Sequence, residues 1–141
     1  MLIRPCAELC ADFPDDMIEE DGEVVQFGGR GVAEAIAAIL RARGYEVSTP
    51  EHQQENGWDF DVKTERRRVW FQISDLGDVF VLTSRCYAGF LPRRKDTDVH
   101  AEVLTRLAAG LAADRRFKTV RWQLQREVLS GAAGSDKPVS A

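Results

Sequence analysis

The stretch Trp58-Asp59-Phe60-Asp61-Val62-Lys63 alternates apolar and charged residues without interruption. Because successive side chains of a β-strand point to opposite faces, this alternation predicts a strand with one buried and one solvated face. The pattern is repeated in Arg68–Ser74, and a third strand is predicted over Val79–Tyr87. The short turns between these three segments predict an antiparallel meander.

Two amphipathic helices are predicted on either side of the meander. The first, near Gly31–Arg43, has apolar residues at spacings of three and four and is rich in alanine. The second begins after a cap at Thr97 or Asp98, runs to about Ala113, and is separated from the meander by a loop at 88–95. Each helix therefore has one apolar face to bury.

Further short strands are predicted at Tyr45–Thr49 and Phe117–Leu124, while the polar segment Glu51–Gly57 is predicted to be a loop. These strands and the meander give a sheet of about five strands. Because both helices are one-sided and the meander strands are half-buried, we predict an α+β fold. In this fold the antiparallel sheet has the two helices packed on one face.

The length of 141 residues is typical of one domain. We predict an acidic N-terminal segment over 1–28, which forms a loop apart from a short strand at Glu23–Phe27. A single α+β domain is predicted over 29–129. The segment 130–141 is rich in Gly, Ser, Ala and Pro, and this composition predicts a disordered tail.

The composition is 44% apolar and 30% charged, which is typical of a globular protein. No stretch approaches the roughly 20 apolar residues that span a bilayer, and the first residues lack the features of a secretory signal. The odd number of cysteines, three, favours reduced thiols. We therefore predict a cytoplasmic protein, with no metal and no cofactor.

Acidic residues are concentrated near the N-terminus. Residues 1–57 contain twelve acidic and four basic side chains, whereas 58–141 contain eleven and fifteen, for a net charge of −4. Seven carboxylates lie between residues 12 and 23. They form either a solvated acidic loop or a docking surface for a basic protein, because complementary charge speeds association. Basic residues are scattered, so neither nucleic acid nor membrane is expected as a partner.

The candidate partner-binding residues are six acidic residues and one tryptophan: Asp15, Asp16, Glu19, Glu20, Asp21, Glu23 and Trp70. The strand alternation places Trp58 on the buried face and Trp70 on the opposite one. Trp70 is then either an exposed binding anchor or a residue covered by the N-terminal segment.

Other residues offer weaker evidence of chemistry. His52 and His100 have no recognisable catalytic partners in the sequence, so we predict ordinary surface histidines. Gly28-Gly29-Arg30-Gly31 precedes a helix but matches neither phosphate-binding glycine pattern. We interpret it as a flexible approach to the helix, and we predict no catalytic residues.

The order of elements also resembles the core of the PD-(D/E)xK nucleases. Gly57-Trp58-Asp59-Phe60-Asp61-Val62 resembles the Asp-bearing strand of that family, and Val69–Ser74 occupies the place of its second motif strand. The resemblance implies Mg²⁺-dependent attack on phosphate. Gln72 and Ser74 stand at the acid and lysine positions, so this alternative is a degenerate nuclease domain.

The layout over residues 20–124 resembles the small immunity proteins that accompany bacterial polymorphic toxins. The resembling residues are the helix Val32–Arg43, the strand start Gly57-Trp58-Asp59-Phe60, and the closing run from Arg115 to Trp122. The resemblance implies a non-catalytic protein that binds one cognate toxin, often with acidic residues against a basic active-site region.

Secretion chaperones are a second binding-class alternative, since they are also small, acidic and of mixed α and β structure. They normally dimerise and hold an extended segment of their partner. The sequence leaves both a monomer and a dimer open. The predicted partner is in either case a protein, and an immunity-type role against a basic toxin or effector is the leading hypothesis.

Overall fold

The computed structural model describes residues 1–65, 67–87 and 94–141, except for the side chains of 94–96. The predicted loop at 88–95 therefore lies mainly outside the described residues. Along the chain the elements are β1 (Leu2–Ile3), β2 (Cys6–Ala11), β3 (Ile18–Glu20), β4 (Glu23–Gln26), α1 (Arg30–Ala42), β5 (Glu46–Val47), β6 (Glu51–Gln53), β7 (Gly57–Lys63), β8 (Arg68–Asp75), β9 (Phe80–Tyr87), α2 (Arg94–Ala113), β10 (Phe117–Gln123), a 3-10 helix (Gln125–Glu127) and β11 (Val139–Ser140).

The main sheet has seven strands in the order β10-β2-β9-β8-β7-β5, and β6 also pairs with β7. Its neighbouring strands are antiparallel throughout the described pairs. The predicted meander is confirmed as β7, β8 and β9. The α+β class with two helices is also confirmed.

The predicted number of about five strands is wrong, because β2 and β6 also belong to the sheet. Cys6–Ala11 was predicted to be part of a loop, yet it is hydrogen-bonded to β9 on one side and β10 on the other. Its sequence, Cys-Ala-Glu-Leu-Cys-Ala, contains few residues of high strand propensity, and its partners lie more than sixty residues away. Burial between two neighbours overrides a weak local preference.

One cross-strand row crosses five strands of the sheet. It contains Trp58, Ile73, Leu82, Ala7 and Trp122, each directly opposite the next. All five are buried, with exposed fractions of at most 5%. The row fixes the register, because a shift of one residue in any strand would turn its apolar side chains away from the core.

Both helices cover the face of the sheet that this row occupies. The predicted first helix is confirmed as α1, and Val32, Ile36 and Leu40 pack into the core from it. From α2, Leu104 and Leu107 join the same buried cluster. Helix α2 begins at Arg94, ahead of the predicted cap at Thr97 or Asp98.

The first and last strands of the chain are hydrogen-bonded to each other. Strand β1 pairs with β11, and the Arg4 amide donates to the carbonyl oxygen of Pro138 at 2.7 Å. Ser135 also exchanges two backbone hydrogen bonds with Trp122, at the free edge of β10. The structure thus differs from the disordered tail predicted for 130–141, because tertiary partners satisfy the backbone of this polar segment.

The start of β7 depends on a glycine. Gly57 has φ +117°, and a Cβ atom there would clash with the carbonyl oxygen of Ile73. Gly77, in the turn between β8 and β9, also has positive φ (+90°), but a Cβ atom there would meet nothing within 4 Å.

We therefore expect Gly57→Ala to lower the free energy of unfolding by at least about 2 kcal/mol, through backbone strain and the clash with β8. Gly77→Ala is the matched control and should cost only about 1 kcal/mol, from backbone strain alone. Urea denaturation measures both values. Equal losses in the two variants would contradict the proposed clash.

Candidate functional site

The acidic N-terminal segment forms a β-hairpin of strands β3 and β4 around the turn Asp21-Gly22. Both turn residues have positive φ, 52° and 81°, as is usual in two-residue turns that join the strands of a β-hairpin. The predicted strand at Glu23–Phe27 is confirmed as β4, whereas β3 was predicted to be loop. We call Ile18–Gln26 the acidic hairpin.

The acidic hairpin is a separate two-stranded sheet, and all of its strand residues are exposed except half-buried Gln26. Three contacts hold its base. The Gln26 side-chain amide donates to the Asp16 carbonyl oxygen at 3.0 Å, and the Phe27 amide donates to His52 Nε2 at 3.0 Å. The Trp58 indole donates to the Phe27 carbonyl oxygen at 2.9 Å. The base is therefore fixed to buried structure, while the strands extend into solvent.

The hairpin brings together four of the predicted partner-binding residues, namely Glu19, Glu20, Asp21 and Glu23, and all four are exposed. Glu20 lies directly opposite Glu23 across the two strands. Like charges in directly opposed positions destabilise a strand pair. Among the described residues, the ion pairs involve no carboxylate of the acidic hairpin.

Large apolar side chains are also exposed here: Met17, Ile18, Val24 and Val25 have exposed fractions of 41–45%. Val24 lies directly opposite Glu19, so an apolar and an acidic side chain are neighbours on one face of the hairpin. A surface with both features suits contact with a protein partner that has basic groups around an apolar patch.

Asp16 has a structural role that the sequence analysis missed. Its Oδ1 accepts a hydrogen bond from the Gly29 amide at 2.8 Å, and its Oδ2 accepts one from the Gly31 amide at 2.7 Å. These amides are at the N-terminus of α1, where backbone N–H groups lack helical partners and the helix dipole attracts negative charge. The glycine-rich segment is therefore an anion site occupied by the protein's own carboxylate.

Asp15 and Trp70 complete the predicted set. Asp15 is exposed and accepts a hydrogen bond from the Met17 amide at 3.0 Å, just ahead of the hairpin. Trp70 lies in the middle of β8 on the face without helices, half-exposed, with its indole donating to Asp59 at 3.2 Å. The structure does not bring Trp70 to the hairpin, whose base contacts residues on the helix-covered side.

A cavity of about 380 Å³ opens beside the hairpin base, at the N-terminus of α1. Its apolar lining includes Phe13, Phe27, Val32 and Phe80. Three acidic residues, Asp15, Asp16 and Asp75, also line it. The sequence analysis did not predict this cavity, because its walls come from three separate segments of the chain, 11–17, 27–32 and 75–80.

Neither histidine is an ordinary surface residue, so that prediction is wrong. His52 is half-buried, accepts the Phe27 amide through Nε2, and packs against the rings of Phe27 and Trp58. His100 lies 2.8 Å from the hydroxyl of Ser84, a residue only 2% exposed. Their partners come from other elements, which sequence spacing did not show.

The Ser84–His100 pair differs from a nucleophile and its base. The Ser84 hydroxyl donates its one hydrogen to the Pro5 carbonyl oxygen at 2.6 Å, so Oγ accepts a hydrogen bond from His100 Nε2. A general base would have to accept that hydroxyl hydrogen. Burial lowers the pKa of His100 to about 4. The neutral ring therefore joins α2 to β9 and, through Pro5, to the start of β2.

The positions that resemble nuclease motifs meet on the face without helices. Asp59 is opposite Gln72, and its two oxygens accept hydrogen bonds from Gln53 and Trp70. Ser74 donates to the Asn56 carbonyl oxygen at 2.6 Å. In the part of the chain that the structure describes, no group of three or more His, Cys, Asp or Glu residues is arranged to hold a metal ion.

Comparison of the chain with family models, with curated proteins and with solved structures found no match. Within the described residues, neither helix has the length and apolar character needed to cross a membrane. The candidate site consists of the acidic hairpin, its base at Asp16 and Phe27, and the adjoining cavity.

Replacing Asp16 tests its role at the helix. We expect Asp16→Ala to lower the free energy of unfolding by about 1–2 kcal/mol, because two amide hydrogen bonds and a favourable helix-dipole interaction are lost. Asp15→Ala removes the same charge from the neighbouring position and should cost less than about 0.5 kcal/mol. Chemical denaturation would contradict the assignment if the two variants were equally stable.

His100 should make stability depend on pH. Its folded pKa of about 4 lies below its ordinary value of 6.5, so the unfolded chain binds more protons between these values. The contribution of His100 to the free energy of unfolding is largest above pH 6.5. It falls by at most about 3 kcal/mol as the pH is lowered to 4. Denaturation of wild type and His100→Gln across this range should show a steeper acid decline in wild type. Parallel curves would refute the prediction.

Proposed function

We propose that this chain is a non-catalytic binding protein of the immunity type, which neutralises a basic toxin or effector in the cytoplasm by direct contact. The observation that supports this most strongly is the acidic hairpin, with carboxylates exposed at its tip and outside the described ion pairs. The hairpin supplies the main contact surface.

The arrangement of charge favours a cationic partner. Glu20 and Glu23 repel each other across the hairpin, and Glu19 and Asp21 add negative charge beside them. This repulsion is relieved when lysine or arginine side chains approach. Charge complementarity of this kind raises association rates well above the roughly 10⁵–10⁶ M⁻¹s⁻¹ of neutral pairs at low salt.

The exposed apolar side chains supply the remainder of the contact. Ile18, Val24 and Val25 are each about half-exposed, and covering them removes apolar surface from water at about 25 cal/mol per Å². Interfaces of standard size have an apolar centre within a polar rim. The hairpin offers both features in one small element on a fixed base.

The resemblance to immunity proteins supports the same function. It implies binding of one cognate toxin through acidic residues, and four of the six predicted acidic residues lie on an ordered, exposed hairpin. An ordered hairpin loses less conformational entropy on binding than a flexible acidic loop would. Trp70 lies apart from this surface and is not required by the proposal.

Charge reversal on the hairpin tests the proposal. Glu19→Lys, Glu20→Lys and Glu23→Lys are combined, while Asp21-Gly22 is retained because Asp tolerates the positive φ of this turn. The tagged wild type captures its partner from a lysate of the source cell, and Kd and association rates are then measured for the isolated pair. We expect the triple variant to bind at least about tenfold more weakly, mainly through slower association.

The matched control reverses three exposed acidic residues outside the hairpin, Glu46, Glu55 and Glu65. It has the same net charge as the hairpin variant, so it reports the effect of overall charge alone. We expect it to retain affinity to within about threefold. Capture of no specific basic partner would overturn the proposed function, and equal weakening in the two triple variants would exclude the hairpin as the contact surface.

A further inference from the structure

The cavity beside the hairpin base has walls that suit an aliphatic chain. Phe13, Phe27 and Phe80 are half-buried and Val32 is buried, so a slender apolar group inside would contact side chains on several sides. Its volume of about 380 Å³ lies at the lower end of the range for ligand pockets, roughly 300–1,000 Å³. The space accommodates one long side chain together with water.

The charge of the lining is entirely negative. Asp15, Asp16 and Asp75 line the cavity, and no lysine, arginine or histidine is among its described lining residues. Asp16 is matched by the N-terminus of α1. The Arg116 guanidinium lies over the ring of Phe13 but is bound to Asp114 by two hydrogen bonds of 3.1 and 2.7 Å. Arg30, next to the lining residue Gly29, is paired with Glu34 at 3.0 Å.

The two other carboxylates retain capacity to accept hydrogen bonds. Asp75 Oδ1 accepts the Gly77 amide at 2.9 Å, and Asp15 Oδ1 accepts the Met17 amide at 3.0 Å. An ionised carboxylate has about four acceptor sites, so these local bonds fix the side chains without saturating them. Asp15 and Asp75 both line the cavity, so a donor inside it would lie near carboxylates that can accept further hydrogen bonds.

We propose that this cavity receives a lysine or arginine side chain of the protein partner. Such side chains bury an aliphatic stem against apolar surface and direct their charged end to polar groups. In this cavity the aromatic residues would contact the stem, and the acidic residues would contact the charged end. The assignment rests on the proposed function. The cavity is continuous with the acidic hairpin, because Met17 lines it and immediately precedes β3. One basic side chain would then anchor a partner whose other charges face the hairpin.

The binding of a lysine side chain is measured directly, without the partner. Nα-acetyl-lysine N-methylamide is titrated into the wild-type protein to about 50 mM, in the weak-affinity range of so small a ligand, and backbone amide shifts are followed by NMR. Nα-acetyl-norleucine N-methylamide, which lacks only the ammonium group, is the matched probe. We expect saturable shifts of Gly28, Gly29 and Gly77 with the lysine probe alone.

Two variants separate local from overall charge. Asp75→Asn preserves the shape and the acceptor for Gly77, whereas Asp78→Asn removes the same charge from an exposed position of the same turn that does not line the cavity. We expect Asp75→Asn to weaken binding of the lysine probe at least about threefold, and Asp78→Asn to change it by less than about 1.5-fold. Equal effects, or equal shifts with both probes, would overturn the proposal.

The two proposals fail in different ways. If a basic partner binds through the hairpin but the lysine probe gives no saturable shifts, the proposed function stands and the cavity assignment is wrong. If the lysine probe binds but no basic partner is captured, the cavity takes free ammonium compounds and its assignment to a partner is overturned. If Asp75→Asn also raises the Kd for the partner more than Asp78→Asn does, both proposals are supported.

Discussion

The sheet is continuous because β2 lies between β9 and β10. Strand β10 is hydrogen-bonded to the rest of the main sheet only through Cys6–Ala11 within the described pairs, and the buried row from Trp58 to Trp122 passes through Ala7. Backbone groups at such a depth must be paired, so the strand has hydrogen-bonded neighbours on both sides. Its position also fixes where residues 12–29 must run, since the chain has to return from the end of β2 to the start of α1.

That return segment combines structural and exposed roles. Asp16 satisfies the first amides of α1 and Phe27 is held by His52 and Trp58, so the two ends of the segment are fixed against the core. The residues between them have no place in the main sheet and form the acidic hairpin instead. The same negative charge that stabilises a helix N-terminus at Asp16 is uncompensated a few residues later, at Glu20 and Glu23. One run of acidic sequence therefore contains a structural carboxylate and a candidate contact surface.

The hydrogen bond between Ser84 and His100 also supports the position of β2. Ser84 and His100 lie close to the core, yet the single hydroxyl hydrogen is directed to Pro5, and the low pKa of His100 keeps the ring neutral. The pair thereby connects α2, β9 and the residue preceding β2, the strand on which the sheet depends. In contrast, Asp15 and Asp75 at the cavity each accept one hydrogen bond from a nearby backbone amide, so their carboxylates can accept more.

The sequence by itself determined the elements whose patterns are local. The alternation of β7 and β8 and the one-sided face of α1 predicted the meander, the first helix and the α+β class, because periodic burial appears in neighbouring residues. Its acidic composition also identified the hairpin carboxylates as candidates. Tertiary structure alone decided the place of β2, the ordered chain end, the role of Asp16, the partners of His52 and His100, and the cavity. Each of these depends on hydrogen bonds or packing between segments far apart in the chain, which no local pattern encodes.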